Sequence, residues 1–81
     1  MTREDAKNIV SRAHPDRIIC SSQELNNGYV FFTKLPNMSE KQVLYWNEAW
    51  FIDGTDGKIS PFDMIEDMDL LIETENTSIY Y

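Results

Sequence analysis

Trp46-Asn47-Glu48-Ala49-Trp50-Phe51-Ile52-Asp53-Gly54-Thr55-Asp56-Gly57-Lys58-Ile59-Ser60 is the stretch that decides the fold. A dense apolar run, Trp50-Phe51-Ile52, meets a segment with two glycines, Gly54 and Gly57, and the chain resumes as Lys58-Ile59-Ser60. Glycine accepts the positive φ of tight turns without a Cβ penalty, and aspartate is common beside it, so residues 53–57 read as the turn of a β-hairpin. The same stretch divides the charge. Before Glu48 acids and bases nearly balance; from Glu48 onward come nine acids (Glu48, Asp53, Asp56, Asp63, Glu66, Asp67, Asp69, Glu73, Glu75) against Lys58 alone.

Working outward, 81 residues without a Pro-, Gly- or Ser-rich break leave room for one core and one domain. A chain this short buries only about 60–65% of its unfolded surface, so each large aromatic matters. Phe31, Phe32, Trp46, Trp50, Phe51 and Phe62, with four tyrosines, supply the core candidates. Cys20 is the only cysteine, which excludes an internal disulfide and a cysteine-based zinc site and suits a reducing compartment. Residues 2–7 are mostly polar, unlike a signal peptide, and no run approaches the ~20 apolar residues of a membrane span. The expectation is a soluble, cytoplasmic protein. Its net charge of −7 repels nucleic acid and anionic membrane surfaces and favours a basic partner. The plain alternative is that acidity serves solubility alone.

Thr2 followed by Asp5 forms a capping pair, and Ala6, Ile9, Val10 and Ala13 repeat at the spacing of one helical face. A helix over 3–13 follows, stopped at His14 by Pro15. Residues 17–24 read as a strand with a weak polar end at Ser21-Ser22-Gln23, Asn26-Asn27-Gly28 as a turn, and residues 29–35 as the returning strand. Tyr29, Phe31, Thr33 and Leu35 share one face of that strand and Val30, Phe32 and Lys34 the other. Both faces carry aromatics, which makes it a central strand covered on each side. Residues 36–41 form a polar connection, and a third strand begins at 43–46, is interrupted at Asn47-Glu48 by a bulge or short loop, and continues through Trp50-Phe51-Ile52. A short fourth strand spans about 58–60. Ser60-Pro61 reads as a helix start, with Asp63 just beyond, giving a short helix over about 61–68. Residues 68–73 either prolong that helix or turn into an edge strand, and residues 73–81, polar until Ile79-Tyr80-Tyr81, stay open. The fold class is α+β: an antiparallel sheet of three to five strands, an N-terminal helix on one face and a short helix after the last hairpin.

Each motif has a plainer reading beside it. His14-Pro15-Asp16 is the tripeptide of J-domain co-chaperones, but such domains set it between two long antiparallel helices, and here a β-rich segment follows. A helix stop is the plainer reading. Asp53-Gly54-Thr55-Asp56-Gly57 invites a calcium loop, yet its fifth position is Gly57 and its twelfth Met64, so the ligands are missing. His14 and Cys20 would have to serve together as base and nucleophile, and nothing in the sequence orients them; a lone Cys beside Ile18 and Ile19 reads as a small core residue. The acids around Glu66 and Asp67 read as a solvated helix face, since adjacent acids point in different directions. Trp46 and Trp50 read as core; either, if exposed beside the acidic turn, becomes an interface anchor.

Taken together, the N-terminal helix, Asn27-Gly28-Tyr29-Val30-Phe31-Phe32, Trp50-Phe51-Ile52-Asp53, Gly57-Lys58-Ile59 and Pro61-Phe62-Asp63-Met64-Ile65 make a pattern that resembles the small bacterial immunity proteins of the "immunity protein 35" kind. The sequence departs from it at Trp50, where the family often has proline, and in a shorter connection between strands. The resemblance implies a protein that binds and neutralises a cognate toxin delivered by a neighbouring cell, with no catalytic residues. Independently of it, a compact acidic domain without a site for chemistry suits the inhibitor of a basic, nuclease-like toxin, steering it by long-range attraction. Asp53, Asp56, Glu66, Asp67, Asp69 and Trp46 are the candidate toxin-binding residues; no cofactor, no metal and no catalytic role is expected. A non-catalytic adaptor domain is the second reading and a small enzyme the third.

Overall fold

The computed structural model describes residues 1–34, 48–63 and 66–81. Its first element, α1, spans Arg3–Ala13 and begins as the sequence predicts. The Asp5 N–H donates to Thr2 Oγ1 and the Thr2 N–H donates back to Asp5 Oδ2, each at 3.2 Å, so two helix-end donors are satisfied reciprocally. The Thr2 backbone N–H first, and the Thr2 hydroxyl second, hold the Asp5 carboxyl below its ordinary range. The charged form is therefore favoured on folding: its contribution is present above the ordinary carboxylate pKa and is lost as pH falls through the lowered folded value. Asp5→Asn should flatten that part of the acid limb in a pH series of thermal midpoints, and an unchanged limb would remove Asp5 from the account. Ala6 and Val10 are fully buried on the inner face and Ile9 packs beside them, whereas Ala13, expected on the same face, is exposed at the last turn.

Among the described residues, five antiparallel strands form one sheet in the order β4-β3-β2-β1-β5. They are β1 (Ile18–Leu25), β2 (Gly28–Lys34), β3 (Glu48–Asp53), β4 (Ile59–Phe62) and β5 (Ile79–Tyr80). The first four make a meander, and the chain then crosses the sheet through a second helix, α2 (Met68–Glu73), and a 3₁₀ turn (Glu75–Thr77) to set β5 against β1. β2 is central, as its two apolar faces demand. On one face Phe31 and Ile52 are fully buried against Ala6 and Val10 of α1, with Tyr29, Trp50 and Ile59 around them. On the other, Val30, Leu25 and Ala49 form a second buried layer under Phe32, Phe51, Phe62 and Leu71 of α2.

Two expectations need correction. Pro61 and Phe62 do not start a helix; they belong to β4, opposite Trp50 and Ala49. β4 is an edge strand, where the missing proline N–H costs no ladder bond, so the residue suits it as well as a first helical turn. The helix begins only at Met68. Nor is the far end of β1 weak: Ser22 is fully buried and Gln23 nearly so. Ser22 Oγ lies 3.0 Å from the Tyr81 hydroxyl, and Gln23 Nε2 donates to the Leu71 carbonyl at 2.9 Å. A bulge between Ile19 and Ser21 changes the phase of β1, so that Ile19 and Ser22 share the α1 face three residues apart. The expected polar connection at 36–41, the start of the third strand at 43–46 and Trp46 lie outside the described residues.

Candidate functional site

The turn at 53–57 forms from local chemistry. Gly57 takes a φ of 74°, the left-handed conformation that only glycine adopts freely. Asp53 Oδ1 accepts the Thr55 N–H at 2.8 Å and Asp56 Oδ1 accepts the Lys58 N–H at 2.9 Å. Both carboxylates thus order their own turn, and Asp56 also stands exposed. The Gly54 N–H donates to the Asn27 carbonyl at 2.9 Å, tying this turn to the β1–β2 turn at the same end of the sheet.

Two shallow depressions flank that end. One, of about 250 Å³, is polar and lies among Glu24, Asn26, Asn27, Tyr29 and Thr55. The other, of about 220 Å³, is more apolar: Phe51, Pro61 and Phe62 form its floor and β4 side, Leu70 and Asp67 its α2 side, and Asn27 its end. Small-molecule sites usually enclose roughly 300–1,000 Å³, and both spaces fall below that range.

Of the predicted site residues, Asp67 is the one that lines the apolar groove. It is half-buried and occupies the N-cap position of α2, yet its side chain makes no capping bond, and among the described residues the carboxylate has no hydrogen-bond or ion-pair partner. Glu66 and Asp69 flank it in sequence and are exposed. Asp53 reaches the same region only through Gly54 and Asn27. Trp46 lies outside the described residues.

No protein-family model, no curated protein and no solved structure matches this chain.

The His14 ring stacks on Trp50 at 3.9 Å between centroids and 22° between planes, and Trp50 Nε1–H donates to the buried Thr33 hydroxyl at 3.1 Å. The helix stop thereby pins α1 to the sheet. Cys20 sits half-buried on the bulged part of β1, with its thiol 3.8 Å from the Ile18 carbonyl, rather than in the core. Among the described residues no three His, Cys, Asp or Glu side chains gather as a metal site. No helix among them is long and apolar enough to cross a membrane.

Sequence reasoning missed the apolar part of this surface. Met68, Leu70 and Ile72 of α2 are 52%, 43% and 60% exposed, while Leu71 alone turns into the core. A signal was there: Leu70-Leu71-Ile72 are consecutive, and three consecutive side chains of one helix cannot all face the same sheet.

Proposed function

We propose that this protein is an immunity-type inhibitor, acting in the bacterial cytoplasm, that binds and neutralises a cognate basic toxin through its acidic half. The observation that carries the reading is the charge asymmetry: from Glu48 onward Lys58 stands alone among nine acids, Asp56, Glu66 and Asp69 are exposed, and Glu66 and Asp69 flank the half-buried Asp67 in sequence. Such a surface attracts a basic protein, raises its association rate, and repels nucleic acid and anionic membranes. It needs no cofactor and no catalytic group. The exposed Met68 and Ile72 favour a second reading, a non-catalytic adaptor seated in a larger assembly. A basic toxin encoded beside this chain separates the two, since an adaptor has no such neighbour.

The charge test must spare the turn. Asp53 and Asp56 accept their own backbone N–H groups, so they are changed to Asn, which keeps the acceptor oxygen, while Glu66 and Asp69 are reversed to Lys. Two neutralisations and two reversals move the formal net charge from −7 to −1. Association with the toxin, followed by stopped flow at low salt, should slow by roughly 10–100-fold, with much less difference at high salt. Unchanged rates in a folded variant would assign the acidity to solubility.

A further inference from the structure

We infer that the groove between β4 and α2 seats a single large apolar side chain from a cationic segment of a partner protein, with Asp67 receiving an adjacent lysine or arginine. The inference rests on the acidic-surface reading and goes beyond it by naming where the contact is made and what fills it. Its floor is built rather than incidental. Phe51 and Phe62 lie on the sheet face opposite α1 and pack against the buried layer of Leu25, Val30 and Ala49, so the aromatic surface is held rigid from below. Leu70 walls the groove while remaining 43% exposed.

Charge selects the occupant. From Ile59 to Tyr81 the chain carries six acids (Asp63, Glu66, Asp67, Asp69, Glu73, Glu75) and no lysine or arginine. A second copy presenting the same face would set like charges against each other, and a purely apolar segment would leave the Asp67 carboxylate unpaired beside it. A cationic segment with an apolar anchor satisfies both the aromatic floor and the carboxylate. The volume, about 220 Å³ and open, suits one anchor and not a small-molecule substrate. Central anchors surrounded by charged rims are the usual seat of binding energy in protein interfaces.

The test uses the full chain, isotope-labelled, and three synthetic peptides: one rich in lysine and arginine with a central leucine, the same peptide with that leucine changed to alanine, and a glutamate-rich version that keeps the leucine. The first peptide should shift the amide signals of Phe51, Phe62 and Leu70 and bind about tenfold or more tightly than the alanine version, as burial of one leucine implies. Leu70→Ser and Asp67→Asn, each checked for folding by circular dichroism, should both weaken the leucine peptide, and Leu70→Ser should leave the alanine peptide's weak binding largely unchanged. Equal binding of the leucine and alanine peptides, without shifts at the groove, would overturn this inference and leave the acidic-surface reading standing. Failure of both cationic peptides, or preference for the anionic one, would overturn both. Self-association through this face, seen as a dimer in sedimentation, would overturn the inference as well.

Discussion

Phe31→Ala is expected to cost about 3–5 kcal/mol, the usual loss when a fully buried aromatic is cut back to Cβ. Phe31 has no exposed surface and sits in the layer formed by Ala6 and Val10 of α1 with Ile52 of β3. Its loss removes dispersion contacts to helix and sheet at once and leaves a cavity that neighbours on a paired backbone cannot collapse to fill. Domains of this size hold only about 5–15 kcal/mol in total, so a large share of the stability goes with one side chain. The midpoint of urea unfolding is the measurement. A midpoint within error of the parent chain would mean that the α1 face of β2 is not the core.

Gly28→Ala should be the second severe substitution, for a different reason. A Cβ at Gly28 would overlap the Ile52 carbonyl oxygen and lie 2.9 Å from the Phe51 ring. The ring can swing away, but the carbonyl belongs to the neighbouring strand, so β2 and β3 must separate near Gly28 and Asp53. Overpacking of this kind costs roughly 1–3 kcal/mol, and backbone as the clashing partner places it at the upper end. Gly54→Ala is the control: the nearest atom to its Cβ, the Asn27 oxygen, is 3.3 Å away, and a shift of a few tenths of an ångström accommodates it. Denaturation of the two variants side by side should show a large loss for Gly28→Ala and a small one for Gly54→Ala. Equal losses would mean that the Ile52 carbonyl does not set the need for glycine at position 28. Because the displaced Phe51 ring also floors the β4–α2 groove, Gly28→Ala should disturb peptide shifts there as well.

Where the signal is local, the sequence is sufficient. Thr2 and Asp5 cap α1 within three residues of each other, and Pro15 stops it at His14. The turn at 53–57 carries its own glycine at positive φ and its own two aspartate acceptors. The apolar residues on both faces of β2 require a layer on each side, and α1 and α2 supply them. The acidity of the second half is likewise a property of composition. The candidate site was legible only as charge: Asp67 stood out as an acid, but nothing in its neighbours showed that it would sit against Phe62 and Leu70.

What tertiary structure alone decided are the places where two local readings are equally good or where the partner lies far along the chain. Ser60-Pro61 can open a helix or lie on a sheet edge, because both tolerate a missing N–H; pairing with Trp50 and Ala49 selects the edge. Ser22 and Gln23 look like a polar strand end until Tyr81, 59 residues on, and Leu71, 48 residues on, arrive to satisfy them, and burial then costs nothing in lost hydrogen bonds. The bulge at Cys20 shifts the phase of β1 by one residue, and a strict period of two cannot anticipate that. Which of Leu70, Leu71 and Ile72 turns inward depends on where α2 lands over Val30 and Leu25, and that rotation leaves the groove wall apolar and open. Charge is written residue by residue along the chain, but a groove exists only where separate elements meet.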